Sequence, residues 1–316
     1  MKRNVNMSRV IITILTAMLI SVLLPTTAFA AKTVKTVKTR RVQSEKEYNA
    51  EGELTYQWDY SYNSHGDITK MVITRREYND ETNTYAYVKS TENSTYKYNP
   101  NGTYKKSTHK YSDGDKSEYT YNKNGNTKKY VSTYKNNEGK TVTETTTYKL
   151  RANGTRKSSV TKRGKTLVAK TTCNSKGNTT KEQHYDSTGK KVVSTITYSY
   201  KYNSKGRMLK QTKKSSDGTT ETYSYDSKGR MKQWTEKKAD GSSWDYKYTY
   251  DKKGHQTKTT YTNVYAEPDG TKNTFSGTTT YKYILNKDGT VKEQSSYGND
   301  GTLMYRTVYT YTKKKY

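Results

Sequence analysis

Apolar and polar residues alternate with a period of two through most of this chain. Tyr246-Lys247-Tyr248-Thr249-Tyr250 and Ile196-Thr197-Tyr198-Ser199-Tyr200-Lys201-Tyr202 place aromatic rings on one face of an extended segment and Lys, Thr or Ser on the other. Thr, Tyr and Val suit a pleated, half-buried surface, so these segments are predicted to be β-strands. No stretch after residue 30 carries a helical period. Pro100 and Pro268 both fall in the turn segments between strands.

The turns repeat. The pentad Tyr-(Asn or Asp)-x-x-Gly occurs eight times, at Tyr48–Gly52, Tyr62–Gly66, Tyr98–Gly102, Tyr121–Gly125, Tyr185–Gly189, Tyr202–Gly206, Tyr225–Gly229 and Tyr250–Gly254. Decayed copies start at Leu150, Cys173 and Leu285. Between pentads lies a shorter signal ending in Asp-Gly, as in Ser112-Asp113-Gly114 and Ala239-Asp240-Gly241. Asn or Asp opens a turn by accepting a backbone N–H two residues on, and Gly closes it by taking a positive φ. Pentad glycines recur 23 residues apart at Gly102/Gly125, Gly154/Gly177 and Gly206/Gly229, which makes one unit two strands and two turns. The predicted fold is all-β: tandem antiparallel β-hairpin repeats over residues 48–316, forming an extended, twisted sheet or an open β-solenoid.

Tyr223-Ser224-Tyr225-Asp226-Ser227-Lys228-Gly229-Arg230 resembles the YD repeat of RHS-type proteins. Tyr200–Arg207 and Tyr248–Gly254 are similar to it as well, and the patchy likeness covers most of residues 48–311. The resemblance implies β-hairpins that coil into a spiral sheet, and in the large members a shell around a toxin or an activity at cell surfaces. Fewer units than a closed shell needs are found here, and no separate C-terminal effector domain is expected. An open hairpin array follows from that difference.

Residues 1–30 read as a signal peptide: Lys2, Arg3 and Arg9 precede an apolar stretch from Val10 to Leu24, and Ala28-Phe29-Ala30 offers a cleavage site. Residues 31–47 are basic and lack turn signals, so a flexible arm is expected there. Loss of Lys2, Arg3 and Arg9 lowers the formal charge from +29 to +26. So basic a chain favours anionic polymers and salt-sensitive association. Leu, Ile, Val and Phe form only about a tenth of the exported chain, a level that by itself points to disorder. The 34 tyrosines, all after the leader, oppose that reading and predict a thin, aromatic, partly wet core.

Catalytic and metal-binding patterns are lacking. Cys173, the single cysteine, occupies a Tyr place in a decayed repeat and has no disulfide partner. His65, His109, His184 and His255 share no zinc-like spacing. Most Asp residues are accounted for by turns, and Glu144, Glu182, Glu221 and Glu236 lie among lysines on strands, where cross-strand pairing is the default. No enzyme activity and no cofactor are expected. Trp234, Trp244, Tyr246 and Lys247 share one predicted hairpin and are the candidates for ligand stacking. A three-residue loop would set Trp234 opposite Tyr246 and Trp244 opposite Glu236.

The expected protein is therefore secreted, extracellular or wall-associated, from a bacterium of Gram-positive type. It would bind or scaffold anionic glycopolymers such as teichoic acid or an acidic glycan, with no membrane span after leader removal. The alternative is a remnant or accessory of an RHS-type toxin or surface-antigen system with a surface-protein partner. Open strand edges flanked by lysines predict a monomer or weak self-association.

Overall fold

A computed structural model describes residues 40–315, Pro268 excepted, and shows twenty strands. In chain order they are β1 Arg40–Asn49, β2 Leu54–Tyr62, β3 Ile68–Asn79, β4 Thr84–Tyr98 and β5 Tyr104–Tyr111. Next come β6 Lys116–Tyr121, β7 Thr127–Lys135, β8 Thr141–Leu150, β9 Arg156–Arg163 and β10 Thr166–Cys173. The third group is β11 Thr179–Tyr185, β12 Val192–Tyr202, β13 Met208–Ser215, β14 Thr220–Tyr225 and β15 Met231–Lys237. The last is β16 Ser243–Tyr250, β17 Gln256–Ala266, β18 Lys272–Leu285, β19 Val291–Tyr297 and β20 Leu303–Lys315.

Each strand pairs antiparallel with its neighbours in sequence, and β1 pairs with β20 through Glu45↔Tyr309 and Glu47↔Thr307. The sheet is a closed up-and-down barrel. The expected extended sheet or open β-solenoid is corrected by this closure. Twist accumulated over twenty strands brings the two edges together, and closure satisfies both rows of edge hydrogen-bonding groups. The expected basic arm is corrected in part: Arg40–Glu47 form β1, the strand that seals β20 to β2. The leader, residues 31–39 and the Pro268 position lie outside the described residues.

Both turn signals build one backbone hairpin. In the pentad turn, Asp226 N–H donates to Arg230 O (2.8 Å), Gly229 N–H donates to Asp226 O (3.0 Å), and Gly229 has φ +85°. Asp226 Oδ1 accepts the N–H groups of Lys228 and Arg230, each at 2.9 Å. In the Asp-Gly turn, Ser215 N–H donates to Thr219 O (2.9 Å) and Gly218 N–H to Ser215 O (3.1 Å). There Asp217, two places later, accepts Thr219 N–H at 2.8 Å. Turns from odd to even strands gather at one rim, and turns from even to odd strands at the other.

A bulge follows each even-to-odd turn, for example between Ser224/Tyr225 against Met231. The first residue of the odd strand then lies beyond the last rung to its next neighbour. Tyrosine hydroxyls take over that rung. Tyr96 donates to Ile68 O (2.9 Å), Tyr200 to Thr179 O (2.6 Å), Tyr250 to Met231 O (2.7 Å), Tyr283 to Gln256 O (2.8 Å) and Tyr311 to Val291 O (2.7 Å). Each accepting carbonyl belongs to the first residue of β3, β11, β15, β17 or β19.

Register separates two faces. Across β12 to β18 one row runs Tyr200, Gln211, Tyr223, Trp234, Tyr246, Tyr261, Gly277. Gly277 belongs there because a Cβ would strike the Tyr261 phenol. The opposite face carries Lys201, Lys210, Ser224, Gln233, Lys247, Thr260, Thr278. On β12 the tyrosines are half-buried while Thr197, Ser199 and Lys201 are exposed. Side chains converge on the concave face of a barrel, so the more occluded tyrosine face is the inner one. Lysines turned inward would also crowd like charge into a confined space. Among the described residues Cys173 is the one buried apolar side chain; the other buried residues are Ser and Thr. The interior is aromatic-lined and wet rather than a dry core.

Burial pushes the phenols of Tyr200 and Tyr283 up to about 12 from 10.0, so they remain hydrogen-bond donors at neutral pH. The folded state holds these protons more tightly than the unfolded chain does. Stability is therefore complete below pH 10 and is lost as pH rises toward about 12, visible as a falling urea midpoint. Tyr200→Phe and Tyr283→Phe, which leave a strand-end carbonyl without its donor, should each lower stability at pH 7 by about 1 kcal/mol.

Candidate polyanion-binding face

The outer face is built from lysines and threonines by strand parity alone. Three rungs set lysine directly against lysine: Lys97↔Lys106, Lys110↔Lys116 and Lys201↔Lys210. Like charges on opposed positions are destabilising. One carboxylate sits between two of these rungs: Glu118 Oε1 is 2.6 Å from Lys106 Nζ and Oε2 is 3.1 Å from Lys116 Nζ. Hydrogen bonds from Lys106 and then Lys116 hold the Glu118 carboxyl down to about 2. A single glutamate thus serves two lysines and leaves the rows net positive. The row continues from Lys106 through Thr120 to Lys129 on β7. Threonine hydroxyls between the ammonium groups add hydrogen-bond donors for phosphate or carboxylate oxygens.

The four residues singled out by sequence are divided between the faces. Trp234 opposes Tyr246, with ring centroids 5.3 Å apart, and Trp244 opposes Glu236. All three rings line the interior. Trp244 also meets Tyr265 edge-on at 5.7 Å, with Lys238 Nζ 4.5 Å from its ring. Lys247 follows Tyr246 on the same strand, so it points to the outer face, 3.7 Å from Asp245. The inner rings have carboxylates for neighbours instead. Glu221 opposes Glu236, and Lys213 pairs with Glu221. Burial, then the charge of Glu221, raises the Glu236 carboxyl above its ordinary value. The aromatic rings and the lysine rows consequently belong to different sides of the wall.

A cluster that sequence spacing did not expose lies on β4 to β6. Glu92 Oε1 is 2.9 Å from His109 Nδ1, and His109 Nε2 is 3.3 Å from Ser107 Oγ. The order acid, imidazole, hydroxyl is that of a nucleophilic triad. Ser107, however, is 2% exposed and sealed among tyrosines, and Ser94 Oγ shares His109 Nδ1 at 2.8 Å. No substrate atom reaches that hydroxyl, so the cluster is a buried polar network. Ser-x-His on one strand was its sole local trace, because Glu92 comes from another strand. Among the described residues no group of three or more His, Cys, Asp or Glu side chains is placed to hold a metal ion.

A membrane-spanning barrel needs an outward apolar band about 25 Å tall. Here one face carries lysines at mid-strand, such as Lys210 and Lys247, and the other carries Glu182, Glu221 and Glu236. Neither face supplies that band.

The fold is similar to a porin-like protein from Bacteroides uniformis, at 14% identity and TM-score 0.42, over 86% of this chain and 96% of that one. It is also similar to a porin-like protein from Bacteroides vulgatus, at 13% identity and TM-score 0.37, over 87% and 100%. A third likeness is to TcdB2-TccC3 without its hypervariable C-terminal region, at 12% identity and TM-score 0.28, over 84% of this chain and 16% of that one. At these scores the likenesses carry no argument about activity or location. No family model matches the sequence, and no curated protein does.

Hydrogen bonding to His109, the largest effect, lowers the Glu92 carboxyl below 4.5. A lowered carboxyl contributes stability above its unfolded value and loses it as pH falls through the folded one. Glu92→Gln should therefore be less stable than the parent at pH 7, and the gap should close below about pH 4. Urea midpoints at the two pH values measure this; a gap independent of pH contradicts the assignment.

Proposed function

We propose that this chain is an exported bacterial surface protein, without catalytic activity, that holds anionic polymers on the lysine–threonine exterior of its barrel. The carrying observation is the set of lysine–lysine rungs Lys97↔Lys106, Lys110↔Lys116 and Lys201↔Lys210. Placed for stability, these positions would alternate in sign. Placed for a polyanion, they are complementary, since a bound phosphate or carboxylate chain turns each repulsion into a bridged contact. The formal charge of +26 left after leader removal adds a long-range attraction for the same partner. Teichoic acids and acidic glycans offer the required repeat of negative groups at a Gram-positive surface, where a protein with this leader would be delivered. The half-buried inner rings are not needed for that capture.

Co-sedimentation with purified cell walls, with and without teichoic acid, across a salt series tests the proposal. Binding should require the polyanion, and the logarithm of its constant should fall linearly with the logarithm of salt. Lys97→Ser combined with Lys201→Ser should weaken binding and flatten that slope. The same variant should raise thermal stability slightly, by about 0.3–1 kcal/mol, because two like-charge rungs are relieved. Retention at high salt, or binding untouched by these substitutions, would sink the electrostatic reading.

A further inference from the structure

The two rims of the barrel are chemically opposite. The ten odd-to-even turns hold thirteen carboxylates and five lysines, while the nine even-to-odd turns hold ten lysines or arginines and four aspartates. Turn geometry does not impose this difference, because the two turn signals build the same backbone hairpin. Asn and Asp serve as the acceptor of turn N–H groups on both rims: Asn122 and Asp226 on the basic one, Asn136 and Asp217 on the acidic one. Asn and Asp both accept, so the sign of the charge was free to vary.

Exposed apolar side chains follow the same division. Of the large ones among the described residues, only Ile284 lies near the basic rim; the rest stand at the acidic rim. They concentrate on two long hairpins. β4 runs from Thr84 to Thr91 before its first rung with β5, and β18 runs from Lys272 to Thr279 before its first rung with β19. Tyr85 (58% exposed) against Tyr78 and Arg76, Tyr87 (54%) with its hydroxyl on Leu54 O, and Phe275 (58%) edge-on to Tyr265 each leave more than half of their surface open. Isolated exposed apolar residues need no explanation, but their confinement to one end does.

We propose that the acidic, aromatic rim of one barrel docks on the basic rim of a second copy of this chain, in head-to-tail order. Charge complementarity selects the occupant: the surface that matches ten basic turn residues is the one bearing thirteen carboxylates, and both belong to the same chain. The contact is heterologous, so it propagates into a column instead of closing as a symmetric dimer. Its salt dependence is two-sided. At very low salt the large positive charge of each body repels the next. Near 0.1 M the Debye length is about 10 Å, shorter than the roughly 27 Å spanned by an eight-residue strand, so bodies are screened while apposed rims still attract. Higher salt weakens the rims as well.

Sedimentation velocity of the purified protein, over a range of concentrations near 0.1 M salt, reads the assembly. Two charge-reversal variants separate the rims. Glu51→Lys, Asp80→Lys and Glu81→Lys together disable the acidic rim, and Lys228→Glu, Lys252→Glu and Lys253→Glu together disable the basic one. All six side chains are exposed at turns. The parent protein should form concentration-dependent species larger than a dimer. Each variant alone should be monomeric, with an unchanged near-ultraviolet tyrosine signal. Mixed in equal amounts, the two should give a dimer and nothing larger, because each retains one working rim. A monomeric parent, persistent assembly by either variant alone, or a mixture that stays monomeric overturns the proposal. None of the six substitutions touches the lysine rungs of the outer face, so wall binding can fail or succeed independently.

Discussion

The barrel depends on the phenolic hydroxyl. A wall of twenty strands with water on both sides gains little from apolar burial, so its integrity rests on the completeness of its hydrogen-bond ladder. The bulges after the even-to-odd turns break that ladder, and Tyr96, Tyr200, Tyr250, Tyr283 and Tyr311 each repair one break from the next strand. Phenylalanine would give the same ring area without the repair. This gives five of the 34 tyrosines a task that phenylalanine could not perform. In Tyr200-Lys201-Tyr202 the first ring caps a carbonyl and the second begins the turn segment, whereas in Tyr248-Thr249-Tyr250 the second does both.

Local order was legible in the sequence because its causes are local. Asn203 and Asp226 announce their turns two residues ahead of the N–H they accept, and the alternation in Tyr246–Tyr250 separates the faces by parity. The Trp234–Tyr246 rung follows from a three-residue loop and was expected. The same parity places Lys247 on the outer face, away from Tyr246, so the two belong to no single site. Closure was not legible. Arg40–Asn49 pairs with residues near the other end of the chain, and no turn marks it. Its charge gave it the look of a tail, whereas Glu45 and Glu47 face inward and are half-buried. The Glu92–His109–Ser107 network was hidden for a related reason: its members converge only once β4 and β5 are in register.

Charge is arranged here in a hierarchy. Inside, glutamates stand among the rings, and burial raises the carboxyls of Glu45, Glu47 and Glu236 above their ordinary value. Outside, lysines stand in rows with too few carboxylates to balance them. At the rims the sign is divided between the two ends. The hairpin register thereby gives three electrostatic surfaces to one monotonous repeat, because face and rim are set by position along each strand rather than by separate domains.

Closure by β1 and β20 also governs how the molecule comes into being. Nineteen of the twenty strand pairings join neighbours in sequence, and only one joins the two ends. Hairpins can therefore zip as the chain emerges across the membrane, but β1 must wait for β20. Throughout that wait the nascent wall is an open ribbon with two unsatisfied edges, one of them Arg40 and Arg41 with the strand they begin. Basic residues at that edge then act as a guard against pairing with another nascent chain, a duty that ends when the ring shuts.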